Sequence, residues 1–234
     1  MREWEWSDSE RAFYRLGERL APDVRTIEQM RPVLRDENAT GPSEAYYMYR
    51  SAHLPQHVTL FQSNSLRYDV TVIPAAKYGS EFVKTVGHFH AKKGAHTYPE
   101  VYEVLDGEAN YLLQDDSRVI VFEAKRGDKV VVPPDYGHVT INAGKKSLVM
   151  ANIVSPDFSS DYSVFAEKRG AAFHCLDSGW AENPRYAGFS MAREAPGKDN
   201  CAFFTRAKTM YELFCGDQNL FSFLKEPEIF FRKG

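Results

Sequence analysis

TVGHFHAKKGAHTYPEVYEVLDG, residues 85–107, is the stretch on which the reading of this 234-residue chain turns. His88 and His90 stand one residue apart in a run that alternates like a β-strand, so both imidazoles leave one face of a sheet and can grip one ion. A polar, glycine-containing loop follows, then a second apolar run from Glu100 to Leu105, closed by the turn Asp106-Gly107. Glu100, Tyr102 and Val104 share one face of that run. Glu103, on the opposite face, reads as a solvated strand residue. Two imidazoles and a carboxylate suit a divalent first-row metal, and such a site needs at least one more ligand.

GDKVVVPPDYGHVTIN, residues 127–142, offers that ligand. A short β-branched run enters a proline-rich turn, and His138 opens the next strand, which suits a third imidazole arriving from elsewhere in a sheet. Together the two stretches resemble the paired signature of the cupin superfamily, G(x)nHxH, E, six residues, G, followed by G(x)5P(x)4H(x)3N. His88, His90, Glu100, Gly107, Gly127, Pro133, His138 and Asn142 all fall in place, while Asp135 replaces one glycine and alters the local turn. The resemblance implies an all-β fold, a cupin double-stranded β-helix (jelly-roll) barrel with the metal inside near one mouth. Singly, His53, His57, His96 and His174 read as ordinary core or surface residues.

The rest of the chain agrees with an all-β fold. From Val58 to Asn152 short runs rich in Val, Ile, Thr, Tyr and Phe alternate with turn residues, and strands are expected near 58–62, 66–74, 82–90, 100–105, 109–114, 118–123, 129–132, 138–142 and 146–154. Gly87 permits a bulge that would turn both Thr85 and His88 inward. Ahead of the barrel, Ser7-Asp-Ser-Glu10 followed by Phe13, Leu16 and Leu20 predicts a short amphipathic helix over 7–20. Residues 25–36 read as an extended arm. Tyr46, Tyr47 and Tyr49 place tyrosines on both faces of a strand. These divisions give an N-terminal helix and arm over 1–57, a barrel over 58–186 and an extension over 187–234. The extension holds CAFFT at 201–205, a capping-box start at Thr209-Met-Tyr-Glu212 with Gly216 as a stop, and the aromatic run FSFLKEPEIFF. Those aromatics must be buried against the barrel or a second subunit.

Composition excludes some functions. A content of 43% hydrophobic and 14% aromatic residues suffices for one sizeable core, and a net charge of −3 gives no general attraction for nucleic acid or an anionic membrane. Cys175, Cys201 and Cys215 are odd in number and lack CxxC spacing, which argues for reduced thiols. No signal peptide or apolar twenty-residue span is visible, so a cytoplasmic protein is expected.

Finer detail is similar to one family. GHFHAK at 87–92, EVY at 100–102, VVPPDYGHVTIN at 131–142, DY at 161–162, AEK at 166–168 and NPR at 183–185 resemble the cupin-type glucose-6-phosphate isomerases of archaea and some bacteria. The resemblance spans about residues 25–186. It implies a cytoplasmic, homodimeric, metal-dependent aldose-ketose isomerase acting on a sugar phosphate, with one divalent transition metal per chain, Fe²⁺ foremost and Mn²⁺, Ni²⁺ or Zn²⁺ as the others. It implies His88, His90, Glu100 and His138 as ligands. Thr71, Thr85, Gly87 and Tyr162 match positions around the sugar phosphate, Tyr46 and Tyr102 match tyrosines of the substrate pocket, and Glu100 and Tyr102 are the catalytic candidates. Three departures stand out: a longer loop from Lys93 to Pro99 carrying His96, and Val154 and Ser160 where a tyrosine and a histidine are often found. With no basic cluster in the sequence, phosphate binding by hydroxyls and the Gly87 amide is expected. Another sugar phosphate as substrate, a metal-dependent cupin oxygenase and a non-enzymatic sugar sensor are the alternatives.

Overall fold

The computed structural model describes residues 3–196 and 204–232. Two sheets enclose the core. Six strands run in the spatial order Lys129–Val132, Glu100–Asp106, Leu148–Val154, Arg67–Ile73, Glu44–Tyr49 and Asp23–Thr26, all antiparallel. Gly137–Ile141, Glu108–Gln114, Arg118–Lys125 and Ser190–Glu194 form the second sheet, the last strand adding in parallel from the extension. This is the cupin barrel that the paired signature implies.

Alternation divides the residues of each strand between two cores. On Glu100–Asp106, Tyr102 and Val104 join the interior cluster, while Val101 belongs to a second cluster on the outer face of the six-stranded sheet. The tyrosines of Glu44–Tyr49 divide in the same way, Tyr46 inward and Tyr47 and Tyr49 outward. Phe204, Met210, Tyr211, Phe214, Phe221, Phe223 and Leu224 of the extension cover that outer face. The helix Met210–Gly216 starts where expected: Thr209 Oγ1 accepts from the Glu212 amide at 3.1 Å, and Glu212 Oε2 accepts from the Thr209 amide at 2.7 Å. Residues 201–203 of the CAFFT run, Cys201 among them, lie outside the described residues. Among the described residues Cys175 and Cys215 are free thiols, and no helix is long and apolar enough to cross a membrane.

Several expectations need correction. No helix forms over 7–20; Trp4–Ser7, Ala12–Arg15 and Glu18–Arg19 make a small antiparallel meander. The Ser7 hydroxyl does accept from the Glu10 amide, at 3.3 Å. Arg11, Leu16 and Gly17 then take positive φ and turn the chain back, and Trp4 and Trp6, two residues apart, pack on the outer cluster with Phe13, the cross-strand partner of Trp6. Residues 58–63 form a short helix, Val58–Ser63, rather than a strand. The 25–36 segment is not extended throughout: after Asp23–Thr26 a Thr26/Gln29 capping box starts the turn of helix Ile27–Met30, and Pro32 sits at the start of a 3-10 turn, where its missing N–H costs nothing. Glu103 is 2% exposed, not solvated. The extension roofs it over, and it bonds Lys129 Nζ at 3.2 Å and the Met210 amide at 2.6 Å.

Candidate metal and sugar-phosphate site

The inner face of the six-stranded sheet and the segment Thr85–His90 enclose one cavity, of about 120 Å³. Lys84 bridges Ile141 and His88 bridges His138, so four steps of one chain oppose three of the other. This is the bulge expected at Gly87, whose φ is +79°. A Cβ there would stand 2.5 Å from Val139 Cγ2 and 3.2 Å from the His138 carbonyl oxygen, so only glycine fits without displacement. As a result Thr85 and His88 both line the cavity, and the Thr85 hydroxyl accepts from the Thr140 amide at 3.0 Å.

His88, His90, Glu100 and His138 converge there, their nearest ligand-type atoms all within 4.8 Å of one another. His90 Nδ1 lies 2.7 Å from the Tyr98 carbonyl, which can only accept, so the hydrogen is on Nδ1 and a neutral ring carries a lone pair at Nε2. That lone pair faces His88 Nε2 at 3.2 Å and Glu100 Oε2 at 3.3 Å. His138 Nε2 approaches the same carboxylate oxygen at 3.3 Å, and its buried Nδ1 meets no acceptor. Burial, with the neighbouring imidazoles, holds His88 well below the usual histidine range; burial also lowers His138. Burial pushes Glu100 upward, but the close His138 and His90 rings outweigh it and keep the carboxyl well below the ordinary range. Three imidazoles, each able to offer a lone pair, and a carboxylate converging on one buried spot fit a divalent cation.

The tyrosine and amide around Glu100 steady it. Tyr102 Oη donates to Glu100 Oε2 at 3.0 Å and lies 3.1 Å from His138 Nε2, while Asn152 Nδ2 donates to Glu100 Oε1 at 2.6 Å. Tyr46, Thr71, Thr85, Gly87 and Tyr162 line the same cavity, beside Tyr102 and the four cluster residues. His96 is not among the lining residues; it pairs with Asp135 at 2.5 Å, joining the longer loop to the turn where aspartate replaced glycine at φ +70°.

Sequence reading missed the cations. Arg25, Arg50 and Arg67 all line the cavity, so the hydroxyl-only grip is incomplete. Scattered over forty-odd residues they form no basic run, and only strand register gathers them. The one signal available was face: Arg50 lies four residues from Tyr46, and Arg67 four from Thr71. The Arg25 guanidinium stands 6.0 Å from the Tyr46 ring centroid and 5.8 Å from that of Tyr162, with its buried Nε lacking an acceptor. Asn152, which holds Glu100, also escaped notice.

Comparison with known proteins gives the same region of the chain. The glucose-6-phosphate isomerase of Pyrococcus horikoshii is 34% identical over 131 residues, which cover 53% of this chain and 67% of that one. That of Thermococcus gammatolerans is 30% identical over 171 residues, 70% of this chain and 87% of the relative. Among solved structures the 7S globulin of Momordica charantia has a TM-score of 0.38 at 14% identity; the match covers 60% of this chain and 35% of the globulin. The family model for glucose-6-phosphate isomerase matches residues 24–189, from the first strand of the six-stranded sheet to the edge of the extension and across all four cluster residues, and the chain belongs to the glucose-6-phosphate isomerase family.

Proposed function

We propose that the chain interconverts glucose 6-phosphate and fructose 6-phosphate, using one divalent transition metal, Fe²⁺ foremost, held by His88, His90, Glu100 and His138. One observation carries the reading: the convergent His/Glu cluster lies in a cavity that the family match spans and that three arginines make attractive to an anion. The reaction moves one hydrogen from C2 to C1 and one proton from the C2 oxygen to the C1 oxygen, with no net oxidation. The bound ion supplies Lewis acidity at those oxygens. The chain's own groups do the rest. Arg25, Thr71, Thr85, Tyr162 and the Gly87 amide hold the phosphate, with Tyr46 beside them. Glu100 is the candidate base for the C2 proton, and Tyr102 and Asn152 fix its two oxygens. A homodimer and a cytoplasmic location belong to this reading through the family resemblance.

Metal-reconstituted protein given fructose 6-phosphate is the test. Activity is expected to vanish with EDTA and return with Fe²⁺, Mn²⁺ or Ni²⁺, and replacing His88 and His90 together by Ala should strip the ion. Full occupancy by elemental analysis in that double variant would end the ligand assignment. Isomerisation of a different sugar phosphate alone would remove the substrate and spare the class; oxygen uptake with turnover would replace the class.

A further inference from the structure

The cavity's guanidinium groups lie in two places. Arg25 pairs in register with Tyr46, near Thr85, Gly87 and Tyr162. Arg50 follows Tyr46 by four residues on the same face, roughly 13 Å along an extended chain at about 3.3 Å per residue. Arg50 stands beside Asp23, two residues before Arg25 on the neighbouring strand, its Nε 3.8 Å from Asp23 Oδ2.

Register fixes what stands near Arg50. Asp69 pairs with Asn152, and Asn152 pairs with Tyr102, so Asp69, Asn152 and Tyr102 form one cross-strand row beside Glu100. Asp69 is fully buried and holds Arg50 at the head of that row: it accepts from Arg50 Nη1 at 2.9 Å, from Arg67 Nε at 2.9 Å and from the Ser51 amide at 2.9 Å. A carboxylate with no exposure is stable only with such donors, and with Asp23 Oδ2 3.8 Å from Arg50 Nε the two guanidinium groups are matched by two carboxylates. Arg50 Nη2 finds only the Met48 sulfur, a weak acceptor, at 3.2 Å. The guanidinium therefore lines the cavity with donor capacity to spare, and its charge is felt by Glu100, Tyr102 and His88.

We propose that Arg50, aimed by Asp69, donates to the substrate oxygen on which negative charge develops at C1–C2, and so acts at the reacting end of the sugar, separate from the Arg25 end that holds the phosphate. The inference rests on the isomerase reading above. No bond to Arg50 forms or breaks: as the hydrogen leaves C2 or the C2 hydroxyl loses its proton, the electron pair left on oxygen accepts an N–H from the guanidinium. Preorganised donors of this kind are worth about 10²- to 10³-fold in turnover.

The test uses metal-loaded wild type, R50A and R50K, with fructose 6-phosphate for kinetics and two probes for binding: inorganic phosphate, and arabinonate 5-phosphate, whose carboxylate sits where the charged C1–C2 oxygens would be. R50A should lower kcat by about 10²-fold or more with KM within about threefold. Arabinonate 5-phosphate should bind more weakly by a similar factor, while inorganic phosphate affinity and metal content stay at wild-type levels. R50K keeps the charge without the planar fork and should recover part of the loss; it supplies the same comparison where R50A does not fold. Inorganic phosphate weakened together with the arabinonate would place Arg50 in the phosphate grip and overturn the proposal, as would kcat and arabinonate binding both unchanged. A wild type that turns over no sugar phosphate would overturn the isomerase reading and this inference with it, and its own kinetics reveal that case.

Discussion

Glu100 is where binding and chemistry meet in a single residue. Its Oε1 is taken by Asn152 at 2.6 Å and its Oε2 by Tyr102 at 3.0 Å, with two imidazole nitrogens 3.3 Å away. A carboxylate committed to a cation is a poor base, so the two roles separate by experiment. If Glu100 only holds the ion, Glu100→Gln loses activity in proportion to metal occupancy; if it also accepts the C2 proton, activity per bound metal falls by about 10²-fold or more. Tyr102 belongs to the same question. Burial, reinforced by Glu100, pushes its phenol well above the usual range, so the hydroxyl keeps its hydrogen at neutral pH and donates to the carboxylate. Tyr102→Phe should cost about 10- to 100-fold in metal affinity or in turnover per metal, as removal of an outer partner does. Elemental analysis beside per-metal kinetics distinguishes the two, and unchanged values in both would show the hydroxyl to be idle. Residues of this kind were legible because strand phase alone put Tyr102 on the face of Glu100. Asn152 and the arginines were not, since an amide or a lone arginine on a distant strand carries no spacing signal until register sets it in place.

Among the elements, the irregular run from Glu81 to His90 decides the site, and a buried ionic anchor secures its start. Glu81, 3% exposed, accepts from Lys84 Nζ, from His174 Nδ1 at 2.9 Å and from the Arg35 amide at 2.9 Å. Burial raises the Glu81 carboxyl, but the Lys84 charge and the His174 bond pull it down to about 2. A folded-state value below the unfolded one gives stability that is present above pH 4.5 and lost as pH falls toward 2. His174, lowered by burial, acts in the same direction from higher pH: the unfolded chain takes up its proton first as pH drops through about 6.5. Melting temperature should therefore fall on acidification below about pH 6.5. Glu81→Gln should cost about 3–5 kcal/mol at neutral pH by leaving the Lys84 ammonium buried and unpaired, and should flatten the lower part of the profile; an unaltered profile would deny Glu81 that role. Sequence marked Gly87 as a bulge but broke down around it. It gave one strand over 82–90 where the chain makes two short pairings with a bulge between, because alternation has no means of registering an extra residue. The N-terminal segment misled for the opposite reason: Ser7 and Glu10 make a capping contact that a hairpin turn uses as readily as a helix, and the decisive Trp4/Trp6 alternation lay ahead of it.

For the molecule as a whole, the six-stranded sheet is a wall with chemistry on one side and covering on the other. Glu100 and Tyr102 face the cavity while Val101 and Glu103 face the extension, and Phe214, with no exposure, sits in that outer cluster 4.4 Å from the Phe61 ring centroid and 5.4 Å from that of Phe221. The described aromatics of the extension thus pack on their own barrel. The division also sets how damage spreads. Truncating Phe214 to Ala leaves a cavity outside the wall and should cost about 3–5 kcal/mol. At roughly 2–4 °C per kcal/mol for a chain of this size, the melting temperature should drop by about 6–20 °C. Below that transition, kcat, KM for fructose 6-phosphate and metal content per folded chain should match wild type, because packed β-branched side chains and backbone ladders separate the two faces and the ligands hang from the inner one. A Phe214→Ala protein that is fully folded and metal-loaded yet altered in KM would mean that the wall transmits strain, and the extension would then have to be counted as part of the active site.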